Sequence, residues 1–374
     1  MIRFLTSGES HGDSLQGIIE GLPANLYFNI EYINHELKRR QKGYGRSERM
    51  AIEKDEIIVL SGINNCHTTG NPISIMIKNR GTNIELTEVM RPRPGHGDLA
   101  GTLKYNRKGG RSVLERASAR ETAMRVALGG ICKLLLKTLN IEVYSHVIKI
   151  GEVEVPKENC VNINKEELLK ADKSILRVLD SKTEKIMIEK INNIRKEGDT
   201  LGGVIEVIGM NVPVGLGSYT SWDRRLDGKI AYSIMSIPGI KGIEFGLGFN
   251  TSNKPGSKVH DEIYYDVNGY HRETNNAGGI EGGVSNGENI VFRAVMKPIP
   301  TLKKPLNTID METKEQAYAQ FERSDVCAVP SASIVAENML AYVLANEIMK
   351  KFGGDSIEEL KFNFKSYIAG LKER

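Results

Sequence analysis

Apolar residues at helical spacing mark the middle of the chain. Met124, Ala127, Leu128, Ile131 and Leu135 recur so as to form one buried stripe. Ser112 stands three residues before Glu115, a capping-box spacing that predicts a helix start. The run from Asn106 to Asn140 therefore reads as a basic, glycine-containing loop feeding one long helix. Other stripes predict other helices. Ile30, Ile33 and Leu37 follow the cap residue Asn29. Ile188, Ile191 and Ile194 follow a second capping box, Ser181 and Glu184, and Gly198 terminates them. Leu226, Ile230 and Ile234 end at Pro238-Gly239. Ala336, Leu340, Val343, Leu344 and Ile348 follow Pro330, a good first-turn residue, and Ser356 with Glu359 caps a short last helix.

Short apolar or alternating runs predict strands at Ile2 to Thr6, Leu15 to Glu20, Ile57 to Leu60, Ile73 to Ile77, Leu201 to Gly209, Lys241 to Phe245 and 290–296. Glu142 to Val155 alternates like a strand or a hairpin. These patterns by themselves define only a mixed α and β chain. Residues 156–198 are polar and read as a peripheral helical insertion without chemistry. With 374 residues the chain can bury a large core, as one domain or two.

Composition narrows the function classes. Net charge is only +4, so no general polyanion-binding surface is expected, and what matters is that basic residues cluster. Cys66, Cys132, Cys160 and Cys327 have no close spacing, which suggests neither a zinc site nor a disulfide framework and fits a reducing cytosol. The start lacks a signal-peptide core and no apolar run reaches membrane-spanning length. A soluble cytoplasmic protein without membrane contact is the expectation.

Seven segments carry candidate chemistry. At the predicted helix start, Arg111, Arg116 and Arg120 would join unpaired backbone N–H groups in an anion site, with Ala117 and Ser118 small enough for a ligand to approach. A solvated charged face would give the same pattern. Gly8-Glu9-Ser10-His11-Gly12 is a glycine-hinged loop presenting an imidazole, a group that titrates near neutral pH. Lys38 to Arg49, including Arg40 and Arg46, is a basic run that suits an anion loop or nucleic acid. Arg91-Pro-Arg-Pro-Gly-His-Gly-Asp98 is a proline-stiffened loop presenting His96. Late in the chain come the glycine-rich run Asn275 to Gly283, the stiff turn Lys297-Pro298-Ile299-Pro300-Thr301, and Arg323-Ser324-Asp325, where Asp325 is a candidate proton acceptor.

Taken in order, Gly8–Gly12, Arg91–Asp98, Arg116–Ala127 and Arg323–Asp325 resemble the signature segments of the chorismate synthases. The Asn-Ala-Gly-Gly run and Lys297–Thr301 also match, so the resemblance covers nearly the whole chain. It implies an α+β fold, a β-α-β sandwich of antiparallel-rich sheets covered by outer helices, in one domain and a homotetramer. It implies conversion of 5-enolpyruvylshikimate 3-phosphate to chorismate by anti-1,4-elimination of phosphate, with reduced FMN and no net redox change. By matching position, Ser10, Arg40, Arg46, Arg111, Arg120 and Arg323 are implied to bind the anionic substrate. His96 is implied to assist the departing phosphate, His11 to protonate or stabilise reduced flavin, and Asp325 to accept the ring proton through flavin N5. Arg116, Ala117, Ser118, Pro238, Gly239, Gly282, Lys297, Pro298, Ile299, Pro300, Thr301 and Arg323 match FMN-contact positions. Ala117 stands where many relatives have serine, Pro238-Gly239 where many have Asn-Ala, and Gly97 where alanine is usual.

Two other readings compete. A nucleic-acid-binding protein would use residues 38–54 and 104–125, but balanced charge and few neighbouring aromatics count against it. An NADPH-dependent flavin reductase, alone or beside the elimination, would lack the Gly-x-Gly-x-x-Gly fingerprint here. Some chorismate synthases reduce their own FMN, so NADPH stays open as an external reductant.

Overall fold

A computed structural model of the chain describes residues 1–46, 54–80, 87–156, 163–267, 269–322 and 324–373. Two antiparallel sheets enclose a helical layer. The first sheet orders its strands as Arg3–Gly8, Ser14–Glu20, Ile73–Lys78 and Ile57–Ser61. The second orders them as Ile240–Phe245, Ile290–Met296, Gly203–Met210, Glu142–Ile150 and Val153–Glu154. In the first hairpin Arg3 pairs with Glu20 and Gly8 with Leu15, so the turn at 9–13 presents Ser10 and His11 at the sheet's end. Gly8 has φ +98°, and a Cβ there would lie 2.3 Å from the Ser14 carbonyl oxygen. Only glycine fits that turn.

Alternation explains which face each sheet buries. Ile73, Ile75 and Ile77 are fully buried, and Ile205 and Val207 do the same in the second sheet. Between these faces lie the central helix Thr122–Lys137 and the long helix Val329–Phe352. Fourteen of the central helix's sixteen residues are buried, so it has no solvent face. Met124 and Leu128 lie against Gly17 of the first sheet, Leu340 and Leu344 against Gly209 of the second, and Gly129 against Asn338.

The β-α-β sandwich is therefore as the resemblance implied, with its two main helices between the sheets and further helices outside. The physical reason is that both helices are too apolar to face water. Ser181–Glu197 and Ile357–Lys372 are outer helices. The final helix is not short, with sixteen residues behind its Ser356–Glu359 capping box. Asn29 caps the helix Ile30–Gln41 by accepting from the Tyr32 N–H, and Gly198 ends its helix in the left-handed region, both as the sequence predicts.

Two local expectations fail for identifiable reasons. The run from Ser112 is not one helix. It forms Arg111–Ala117, a 3₁₀ turn Ala119–Glu121 and then Thr122–Lys137. Ser118 breaks it with an extended backbone (ψ 141°), its hydroxyl accepting from the Arg120 N–H. No capping box forms there, because Glu115 turns its carboxylate to His11. Likewise Asp180, not Ser181, caps the 181–197 helix by accepting from Thr183.

A buried charge cluster locks the helical layer. Arg39 of the first helix bonds Glu36 at 2.8 Å and Glu337 of the long helix at 2.6 Å. Lys133 of the central helix bonds Glu36 at 2.6 Å and also Glu337. Burial pushes the Glu337 carboxyl up, but Arg39, Lys133 and Arg177 outweigh it and hold it well below the usual range. Arg177 and Asp172 belong to this cluster, so the 156–198 segment is tied into the interior by more than its surface helices.

The close approach of the central and long helices gives a signed prediction. A Cβ on Gly129 would lie 2.5 Å from the Asn338 backbone oxygen. Alanine gains about 1 kcal/mol of helix propensity, and overpacking against backbone costs about 1–3 kcal/mol. Gly129→Ala is therefore expected to lower the melting temperature by on the order of 2 °C. A rise in a thermal melt would refute this packing.

Candidate active site

The His11 loop is held from below by the broken helix. The Glu115 carboxylate accepts from the His11 backbone N–H at 2.8 Å and sits 2.9 Å from Nδ1. A carboxylate only accepts, so Nδ1 carries the proton. Burial pushes Glu115 up, and the His11 bonds with the Arg111 charge hold it below its ordinary value. Arg111 reaches Glu115 at 3.4 Å and Glu322 at 2.9 Å. Ser10 is buried, with the Ser118 hydroxyl 3.2 Å from its own. Arg116 donates to the Gly8 and Thr6 carbonyls at 3.0 and 2.7 Å, fixing the strand that enters the loop.

Three guanidiniums gather beside this loop. Arg40 donates to Asp55 at 3.0 Å and Arg120 donates to it at 2.8 Å. Arg46 lies 3.0 Å from Asp325. Burial lowers Arg40 to about 10; Asp55 opposes the fall while Arg46 and Arg120 add to it. Arg120 also donates to Asn79 at 3.0 Å, and Asn79 donates to the Glu9 and Gly12 carbonyls at 3.0 and 2.7 Å. Asn79 thereby ties the guanidinium cluster to the His11 loop. Arg40 Nε and Arg46 Nε are buried and have no partner among the described residues.

His96 is held by its own loop. Its Nδ1 lies 2.6 Å from Asp98 and 3.1 Å from Arg93. The shorter contact decides the tautomer, with Nδ1–H donating to Asp98 and Nε2 left open. Arg93 bonds Asp98 at 2.8 Å and the Thr301 hydroxyl at 2.8 Å. The Lys297 ammonium donates to the Gly95 carbonyl, and the Lys297 N–H donates to Gly239 at 2.9 Å. Burial and then Lys241 lower Lys297. A Cβ on Gly95 would lie 3.5 Å from Pro300, and one on Gly97 would lie 4.0 Å from Ala117. Ile299 accepts from Thr200, and Ser324 donates to the Thr301 carbonyl at 3.1 Å, next to Asp325. One network of bonds and close contacts thus joins His11, Ser10, Arg40, Arg46, Arg111, Arg116, Ala117, Ser118, Arg120, His96, Asp325 and the Lys297–Thr301 turn. Pro238, which precedes Gly239, lies beside that turn.

Two expected residues remain. Arg323 lies outside the described residues. Gly282 sits in the tight turn between Ile280–Glu281 and Val284–Ser285, near the Ile290 end of the strand Ile290–Met296, whose other end leads to Lys297. That seven-residue strand separates them by roughly 20 Å. Sequence reasoning missed Asp55, Asn79 and Arg93 and read Glu115 only as a cap. Glu115 had one signal, its four-residue spacing from Arg111. Asp55 had none.

The chain is similar to known proteins over its whole length. A family model described as chorismate synthase matches residues 2–349. A chorismate synthase of Caldanaerobacter subterraneus subsp. tengcongensis is 54% identical, covering 99% of each chain. One of Aquifex aeolicus is 49% identical over 99% of this chain and 98% of that one. A crystal structure of chorismate synthase superposes with TM-score 0.83 at 43% identity, covering 100% of this chain and 99% of the other. The fold and site define a lyase, acting on a small molecule. More closely, the chain belongs to the chorismate synthase family, whose members are carbon–oxygen lyases acting on phosphates. Among the described residues no helix is long and apolar enough to cross a membrane.

The Asp98 environment makes a pH prediction. Burial raises its carboxyl, but His96 and Arg93 outweigh this and hold it well below the usual range. A depressed carboxylate stabilises the fold above its unfolded pKa, about 3.9, and that contribution fades as pH falls toward its folded pKa. Wild type should therefore lose Tm more steeply below about pH 4 than Asp98→Asn. Parallel acid limbs in the two Tm–pH curves would remove this role.

Proposed function

We propose that the protein catalyses anti-1,4-elimination of phosphate from 5-enolpyruvylshikimate 3-phosphate, giving chorismate, with reduced FMN and no net redox change. The observation carrying this reading is the joining of distant segments, two carboxylate-held imidazoles and a guanidinium group, into one network. The substrate bears a phosphate and two carboxylates, and burying such charge requires paired cations. Arg40, Arg46, Arg111 and Arg120, with Arg323, supply them, and Ser10 adds a hydroxyl. Buried Arg40 Nε and Arg46 Nε, without protein partners among the described residues, suit an anionic guest.

His96, with Nδ1–H held by Asp98, keeps Nε2 for the departing phosphate. His11, with Nδ1–H held by Glu115, is the imidazole that protonates or stabilises the reduced cofactor. Asp325, oriented by Arg46, accepts the ring proton. For FMN, Ala117 and Ser118 beside Arg116 meet Gly239 and Lys297–Thr301 around the His96 loop, and Lys297 with Lys241 offers positive charge. These groups fit a phosphorylated flavin; Gly282 does not join them within one chain. When bound, the cofactor lends electron density to C–O cleavage and recovers it.

A homotetramer is supported by Leu5, Ile18, Ile58 and Leu60, large apolar side chains left exposed on the first sheet. A cytoplasmic location is consistent with free Cys66, Cys132 and Cys327.

Anaerobic incubation with dithionite-reduced FMN and the enolpyruvyl substrate should release phosphate. No release would overturn the reading, and NADPH in place of dithionite tests whether the chain reduces its own flavin. His96→Ala should lower kcat on the order of a hundredfold while leaving the FMN Kd nearly unchanged. Equal losses of both would contradict the assignment. Asp325→Asn should keep the wild-type melt and stop turnover; full anaerobic activity would reject its role as acceptor.

A further inference from the structure

Asp55 is a carboxylate set among groups that are meant to receive an anion. Its side chain is 1% exposed, yet it belongs to no recognised motif of the chain. It sits just before the edge strand Ile57–Ser61, and its N–H donates to the Gln41 side chain at 3.3 Å, at the end of the helix carrying Arg40. One Asp55 oxygen accepts from Arg40 at 3.0 Å and from Arg120 at 2.8 Å, and the other lies 2.7 Å from Arg120. Those two arginines come from different elements, the first helix and the 3₁₀ turn ahead of the central helix. Both are almost fully buried.

A negative charge here opposes anion binding by simple electrostatics. Its presence needs another account. Two buried guanidiniums side by side repel, and without a counter-ion each would turn to find other acceptors. Arg120 cannot turn without consequence, because its Nε bonds Asn79, which holds both ends of the His11 loop. We infer that Asp55 is a positioning residue: a resident counter-anion that aligns Arg40 and Arg120 for the substrate and, through Asn79, fixes the His11 loop. This rests on the substrate assignment above. Asp55 touches no substrate; it sets the geometry of the groups that do.

The inference predicts an unusual sign. Removing a negative charge from an anion site should make substrate binding worse, because alignment outweighs charge. It also predicts a change in pH dependence. The charged groups facing Arg40 are Asp55, Arg46 and Arg120. Without Asp55 the Arg40 guanidinium loses its proton at lower pH.

Asp55→Asn and Asp55→Glu are to be compared with wild type in the anaerobic phosphate-release assay, with thermal melts to gauge folding. In both variants KM should rise on the order of ten- to a hundredfold with kcat within about threefold. The alkaline limb of kcat/KM should move to lower pH in Asp55→Asn and stay in place in Asp55→Glu. An unchanged or lowered KM in a folded variant overturns the inference, as does a loss of kcat that only follows the folded fraction. A separate arm uses inorganic phosphate and the melting temperature. Phosphate should stabilise Asp55→Asn less than wild type, because guanidiniums that have lost their alignment hold an anion worse; equal or greater stabilisation overturns the inference. If wild type releases no phosphate from the substrate, the elimination reading fails and the inorganic phosphate arm still decides for Asp55.

Discussion

The structure depends on burying ions in the middle of its helical layer. Glu36, Arg39, Lys133, Glu337 and Arg177 come from three helices and a connecting segment, and none is free to leave its partners. Removing one member would leave an uncompensated charge in a medium that solvates it poorly, a cost of about 3–5 kcal/mol. The cluster contributes less to net stability than to uniqueness. Apolar helices can slide past one another at small cost, whereas these charges fit in one register.

That register reaches the site through adjacent residues. Arg39 turns into the buried cluster, and Arg40, the next residue, turns toward Asp55 and Arg120. Fixing one fixes the other, because both belong to the last turn of the same helix. The break at Ser118 acts in the same way on the opposite wall. It sends Arg116 to the strand entering the His11 loop and Arg120 to the guanidinium cluster. An uninterrupted helix would aim both basic residues along one face.

Much of this was legible in the chain. Period-two and helical stripes located the strands of the two large sheets and the long helices, because burial on one face leaves a strong imprint. They could not say that the two main helices lie between the sheets, since a stripe shows that a face is buried and not what buries it. The loops carrying His11 and His96 were legible because glycine and proline punctuate them. Glu115 was visible but misread, since a capping carboxylate and a histidine partner occupy the same spacing. Asp55 and Asn79 were illegible. Each is a single polar residue beside a strand, and its meaning comes wholly from arginines far away in sequence. Gly282 illustrates the converse: a matching motif whose position lies outside the network formed by one chain.

The early pairing of the guanidiniums has a further consequence. Arg40, Arg46, Arg111 and Arg120 each already face a carboxylate, so their fields largely cancel a few ångströms away. A negatively charged guest would feel little pull from them during its approach. Encounter would then run at an ordinary diffusional pace with weak dependence on ionic strength, and selectivity would arise only at contact.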